Sequence, residues 1–492
     1  MRPVLAGLDT EYGFSVAGRG PQDQIDDAKA LIGSYPGECL SFWDQRFESP
    51  RNDLRGFKVE SLSVDPQDAH FDHGRSHGTI DEVRSDRVLT NGARLYNDHG
   101  HPEFATPETW SVHETVLHDR AGDRAILAAA LAYEEETGRE VRVYKNNTDF
   151  HGASYGTHES YLVPRSVAVE SLVKGLMPLL IARQVLTGAG KVGAEGSRWC
   201  DFQISQRADF FTVPLSVDTL YRRPVFNTRD EPHADPAKWM RLHVICGESN
   251  MVSTATLLKL ALVKIALHLV ERGDAPQWNV ADPVRSFMQV SRDVDGEGRI
   301  TLEGASWTTA RQVIESYLDS FERLQADSED CLHTELADAA KTARRLLAAR
   351  FERPDEFKRS VDWAAKRDVL LQYAESEGKK LRDPSMQSID LEYHRIDKGE
   401  GLFHALVQMG AVDAEPAEDM VDKRTRQICE DTRARARSIA VTKFRDSLAT
   451  ASWGSLTFGD KTVLLRPDAT YPATLDDCTT VEEFIMQLER CQ

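Results

Sequence analysis

Apolar and polar positions alternate from the outset. Val4, Ala6 and Leu8 are apolar and Asp9 and Glu11 follow two apart, so 3–17 predicts a strand with both acids on one face of a sheet. From 20 to 88 the pattern lapses. The stretch is polar, keeps neither a helical nor a strand period, and spreads Trp43, Phe47, Phe57 and Phe71 along its length. An excursion that long predicts a functional lid or a disordered insert, with the aromatic residues packing it onto something. Pattern returns with a strand at 88–98, a helix over 112–137 and a strand end at YKNNTD. An amphipathic helix follows over 166–187, apolar at Val169, Leu172, Val173, Leu176 and Leu180, with Gly188 and Gly190 as stop signals. Strand-like pieces at 201–213 and 241–246 precede a helix over 251–272, apolar on most faces and stopped by Gly273. Such a helix belongs in a large core.

The region 307–380 reads as charged helices. A composition shift at 410–419 predicts a boundary between a catalytic unit over 1–410, carrying the 20–88 insert, and a small C-terminal domain over 411–492. That domain opens with an arginine-rich helix at 424–437, a solvated face or a dock for an acidic partner, and closes with short strands around 455–466.

Length agrees with this division, since 492 residues exceed one ordinary domain. Apolar residues make up 41% and charged residues 28%, a globular balance, and the formal charge of −19 argues against wholesale nucleic-acid binding. The seven cysteines are scattered with no CxxC pair, which excludes a zinc knuckle and a disulfide framework. The apolar run near 256–270 is short for a membrane span and carries Lys259, Lys264 and His268. No apolar run of signal length precedes the first acids, so a cytoplasmic protein is expected.

Four stretches concentrate the chemistry: GLDTEYG at 7–13, NGARLYNDHGHPEFATPE at 91–108, KNNTDFHGASYGTHESY at 145–161 and NTRDEPHAD at 227–235. Carboxylates hold hard divalent cations through oxygen, and guanidinium groups hold phosphates through paired N–H donors, so the set points to a metal nucleotide. Alternation puts Arg94, Tyr96 and Asp98 on one strand face, and the turn HGHP aims Glu103 back toward them. Arg94 suits a phosphate, Glu103 a metal, and Asp98 a base or a nucleophile. His158 and Glu159 both have metal-ligand chemistry, while Asn146, Asn147 and Asp149 would hold a loop or a substrate carboxylate. Arg229, Asp230, Glu231 and His233, followed by Arg241 and His243, suit a polyphosphate or a turn stapled by ion pairs. GxxxxGK[ST] and GxGxxG after a strand are missing.

The motifs GLDTEYG, NGARLYNDHGHPEF, KNNTD, SYGTHESYL, SQRADFF, NTRDEPHAD and RLHVICGESN resemble, in order, those of the Pup ligase and Pup deamidase/depupylase family. This is a branch of the glutamine-synthetase-like carboxylate–amine ligases. The resemblance runs from residue 5 to about 460 and implies an α+β fold: a curved, mostly antiparallel sheet flanked by helices, with a small C-terminal domain. It implies ATP (or ADP plus phosphate) and Mg²⁺ as cofactors. The implied partner is Pup, a small modifier joined through its C-terminal glutamate side chain to substrate lysines. By resemblance, Asp9, Tyr96 and Glu103 align with metal ligands, Arg94 and Thr106 with ATP contacts, Asp98 with the catalytic aspartate and Trp453 with the adenine-packing tryptophan. Glu11, His158 and His243 are expected to join the metal site, Arg229 the catalytic groups and Arg241 the nucleotide contacts. Position 9 departs from the family, which usually has Glu; the shorter Asp9 withdraws its carboxylate by one methylene.

Within the family, three features resemble the hydrolases. WDQRFESPRNDLRGF is similar to a loop of depupylases that ordinary Pup ligases lack, five steps separate Asp98 from Glu103 where ligases have one residue more, and ASWGS surrounds Trp453. SNMVSTATLLKL, EYHRIDKGEGLF and DWAAKRDVL resemble the ligases instead. The catalytic strand and its loop favour a depupylase, with ligase and non-catalytic modifier-binding protein as the alternatives.

Overall fold

The computed structural model describes residues 3–62, 84–150, 152–195, 200–221, 223–325, 331–413 and 415–491. Its centre is an antiparallel sheet of seven strands: β1 (Ala6–Glu11), β2 (Cys39–Leu40), β3 (Arg87–Leu89), β4 (Arg94–Asp98), β5 (His101–Ala105), β6 (Thr157–Pro164) and β7 (Trp239–Val244). The spatial order is β7-β6-β1-β5-β4-β3-β2. Register fixes what each face carries. Glu11 and Tyr96 both lie opposite Glu103, Asp9 lies between Ala105 and His158, and Ser160 lies opposite His243. Period two therefore gathers the acids, Arg94, His158 and His243 on one face. Leu8, Phe104, Leu95, Tyr161 and Leu242 go to the other face, where all are essentially buried.

Helices cover that apolar face. The largest core cluster joins it to α3 (Val169–Ala182) and α4 (Ser253–Arg272), and a second one uses α1 (Gln24–Gly33) and α2 (Val112–Thr137). By length and composition α4 could cross a membrane, but 83% of its apolar window is buried in this core. Its two lysines are satisfied inside: the ammonium groups of Lys259 and Lys264 donate to the Glu248 and Trp110 carbonyls.

Several expectations change. Within 20–88 the chain forms α1, whose apolar face is only Ala28, Leu31 and Ile32, too short a run to show a period. The stretch 65–79 and Phe71 lie outside the described residues. The helix over 166–187 holds Pro178 and is interrupted at Arg183, whose guanidinium turns to the buried Glu159. The piece at 201–213 is strand only at Phe202–Gln203 before a 3₁₀ turn at Ala208–Phe210, because Arg207 is bonded into neighbouring loops through Ser154 and the Gly247 carbonyl. The arginine-rich 424–437 is not one helix. One helix ends at Arg424 and another, α5 (Arg433–Lys443), begins nine residues on.

Beyond α5 comes a three-stranded sheet of β8 (Leu448–Ala451), β9 (Ser455–Phe458) and β10 (Lys461–Leu464). Its core takes in Leu40, Trp43 and Val88 from the far side of the sequence, and Asp44 N–H donates to the Ala451 carbonyl. At Gly92, φ is +77° and the Ala434 carbonyl lies where a side chain would start, so the β3–β4 turn and α5 pack backbone to backbone.

Candidate active site

The turn that aims Glu103 has two residues, His99 and Gly100, both at positive φ, closed by Asn97 Oδ1 accepting from Gly100 N–H. Such a turn matches the twist of a tight hairpin and leaves Tyr96 directly across from Glu103. The sheet face below is the floor of a polar cavity. Asp9, Arg94, Tyr96, Asp98, Glu103, His158, Arg229, Arg241, His243 and Trp453, ten of the residues singled out above, line it.

Three acids converge most closely. One carboxylate oxygen each of Glu11, Asp98 and Glu103 lies within 4.8 Å of the others, and Glu103 Oε2 is buried with no hydrogen-bond partner. Burial, then the Asp98 charge, pushes Glu11 up to about 7. Burial, then Asp98 and Glu11, pushes Glu103 well above the carboxylate range. Asp98 goes the other way: burial would raise it, but His99, Arg84 and His158 hold it below its ordinary value. Three oxygens crowded this way, one of them orphaned, fit a hard divalent cation. Asp9 lies in the same cavity but turns toward Ser160, which donates to its Oδ2 at 3.4 Å, and toward Arg241. His158 and His243 meet edge to face at 5.3 Å. Burial, reinforced by nearby arginines, drops His158 to about 3 and His243 well below its usual value. Both imidazoles are therefore neutral at pH 7 and keep a lone pair for a ligand.

Arg94 lies between the rings of Trp43 (4.3 Å) and Tyr96 (4.1 Å). It donates to Asp86 at 2.7 Å and Glu48 at 3.4 Å, while its Nη2 is buried and unpartnered. Arg241 donates to Ser160 and to Glu231. Arg229 donates to Thr219, and its Nε is buried without a partner. Thr106 is committed to the sheet, accepting from Leu8 N–H, and lines a smaller pocket with Asp9, Arg241 and Trp453. Trp453 meets Trp43 edge-on at 5.0 Å and has the Arg437 guanidinium 4.9 Å from its ring. A broader groove of about 1740 Å³ opens on its other side.

Some residues are elsewhere. Glu159 points to the opposite sheet face, fully buried against Arg183 and the Tyr161 hydroxyl, so it takes no part in the cavity. Asn146 and Asn147 are spent on structure, donating to the Thr148 and Tyr155 carbonyls of their own loop, and Asn147 also to the distant Ser249. Arg433 and Arg437 present no solvated or docking face; both are buried on Glu108. Four residues escaped sequence reasoning: Arg84, which meets Asp98 at 3.1 Å, and Glu48, Asp86 and Ser160. Ser160 alternates with His158 on β6 and was accessible to the period-two argument; the others lie in the patternless stretch.

The family model described as Pup-ligase protein matches residues 4–457. A depupylase from Acidothermus cellulolyticus is 38% identical over 92% of this chain and 90% of its own length. A Pup–protein ligase from Corynebacterium jeikeium is 36% identical over 76% of this chain and 84% of its own. Among solved structures, the Pup ligase PafA in complex with ADP superposes with a TM-score of 0.73 at 27% identity, over 89% of this chain and 97% of that one.

Proposed function

The chain belongs to the Pup-ligase protein family, which has a glutamine-synthetase-like fold and spans Pup ligases and depupylases, and on that premise we propose that it is a nucleotide- and Mg²⁺-dependent depupylase. It hydrolyses the bond between the C-terminal Glu or Gln side chain of a Pup-like modifier and a substrate lysine or ammonia. The observation that carries the hydrolytic direction is sequence likeness sustained over length: the depupylase-named relative is 38% identical over 92% of the chain, the ligase-named one 36% identical over 76%. The ligase reading is the alternative, formation of the same bond through a glutamyl phosphate. A cytoplasmic setting is part of the proposal.

Glu11 and Glu103, with Asp9, Tyr96, His158 and His243 around them, would supply the donors for the cation, leaving Asp98 beside it for the chemistry. Arg94 and Arg241 face the nucleotide phosphates, Thr106 shapes their pocket and Trp453 packs the base. When bound, the metal nucleotide would supply positive charge and a phosphate group to the site. Asp98, held ionised, takes the proton of an attacking water or itself attacks that carbonyl. Arg229 neutralises charge that develops there. On the first route Asp98 hands that proton to the lysine amine as it leaves; on the second the amine takes its proton from water, and the resulting hydroxide cleaves the modifier–Asp98 anhydride and frees both.

The test incubates the purified protein with a Pup–substrate conjugate, Mg²⁺ and ATP, and follows free Pup by gel and mass. Release supports hydrolysis; new conjugates from free Pup and a lysine substrate without release would establish ligation instead. Binding without either would leave a non-catalytic homologue.

Trp453→Ala removes the aromatic wall and is expected to raise the Kd for ATP by about 10- to 100-fold, the size of one base–aromatic stack. Equilibrium titration with a fluorescent ATP analogue measures it. An unchanged Kd would take Trp453 out of the nucleotide site.

A further inference from the structure

Among the described residues four guanidinium groups line the main cavity, and they divide by position. Arg241 also lines the small pocket beside Trp453, and Arg94 is pinned against Trp43 by Asp86 and Glu48. Arg84 pairs directly with Asp98, and Arg229 feels the charges of both Asp98 and Arg84, so these two belong to the Asp98 end. Arg84 Nη1 lies 3.1 Å from Asp98 Oδ1, and Arg229 carries a buried Nε with no partner.

The substrate's own chemistry requires a cation there. A bond made through the γ-carbonyl of a terminal Glu or Gln leaves that residue's α-carboxylate free, four carbon–carbon bonds from the carbon that Asp98 must address. Asp98, Glu11 and Glu103 already crowd this end, so a further carboxylate would be repelled unless a guanidinium met it. A guanidinium has five donors in a planar fork, so Arg84 can keep one edge on Asp98 and offer others to a second carboxylate. We propose that Arg84, together with Arg229, receives the free α-carboxylate of the modifier's C-terminal residue. The enzyme thereby selects a terminal Glu or Gln over the same side chain inside a chain. The inference rests on the reading that the site acts on a γ-linked terminal residue, and it holds for cleavage or ligation alike.

The experiment pairs a variant with a modified substrate. Arg84→Gln is measured on a Pup–lysine conjugate and on the same conjugate with its α-carboxylate converted to a carboxamide. Wild type should lose about 10- to 100-fold in kcat/KM on the carboxamide, mostly through KM, the usual scale for one charge-assisted contact. Arg84→Gln should lose a similar factor on the carboxylate substrate and nothing more on the carboxamide, with an unchanged Kd for ATP, and Arg84→Lys should recover part of the loss. Equal losses by Arg84→Gln on both substrates would mean that Arg84 acts only through Asp98, and a raised ATP Kd would assign it to phosphate. Either result overturns the inference while leaving the activity in place. Wild-type enzyme silent on every conjugate and in ligation would overturn the functional reading instead.

Discussion

Asp98→Asn is expected to cut modifier release by about a thousandfold, the middle of the range for removing a positioned acid–base group. The amide has the same shape and keeps an oxygen for Arg84 to meet, so the loss isolates the charge and basicity of the carboxylate. Single-turnover release of Pup from a conjugate measures it, with nucleotide binding as the control for an intact pocket. Thermal melting adds a second readout. Asp98 is held below its ordinary value in the folded protein and pairs with Arg84, so its charge stabilises the fold at pH 7 and the cation-free variant should melt no higher than wild type. Near-normal turnover in the variant would refute the role given to Asp98.

Glu108→Ala should destabilise the fold by about 3–5 kcal/mol, because it strands two buried guanidinium groups. Glu108 accepts from Arg433 Nε at 2.5 Å and from Arg437 Nη1 at 3.0 Å, and all three residues are less than a tenth exposed. Those arginines in turn donate to the His233 and Trp453 carbonyls, so the same change should loosen the base pocket and weaken ATP. Burial alone would raise Glu108, but Arg437 and then Arg433 bring it down to about 2 from an ordinary 4.5. A lowered carboxylate stabilises the fold fully above its ordinary value and loses that contribution as pH falls through the folded one. The pair should therefore contribute about 3 kcal/mol above pH 4.5, declining toward pH 2, and Glu108→Ala should flatten that part of the profile. Urea melts between pH 3 and 7 measure both quantities, and a variant within 1 kcal/mol of wild type at pH 7 would show the charges are not coupled (about 1 kcal/mol being typical of exposed pairs).

The parts of the fold and site legible in the sequence are those fixed by local geometry. Alternation alone put Asp9 with Glu11 and Arg94 with Tyr96 and Asp98, and a two-residue turn brings Glu103 round to them. It also separates His158 from Glu159, but which of the two meets the acids depends on how β6 registers against β1, which no single strand encodes. Arg433 and Arg437 read as a solvated face because their partner Glu108 is more than 300 residues away. Arg84, Glu48 and Asp86 lie in a stretch with no period, and only tertiary structure brings them to Asp98 and Arg94. The helix α1 was missed because one short apolar turn carries too little signal above its polar neighbours.

The core beneath Trp453 has a consequence in time rather than in space. Leu40, Trp43 and Val88 share it with residues as late as Phe484 and Leu488. During synthesis the early segment leaves the ribosome hundreds of residues before its packing partners exist. Its tryptophan and leucine must wait, unsheltered, until nearly the whole polypeptide has emerged. A chain cut short before α5 therefore has no means of assembling the aromatic end of the cavity, and only a finished copy can bring Trp43 and Trp453 together.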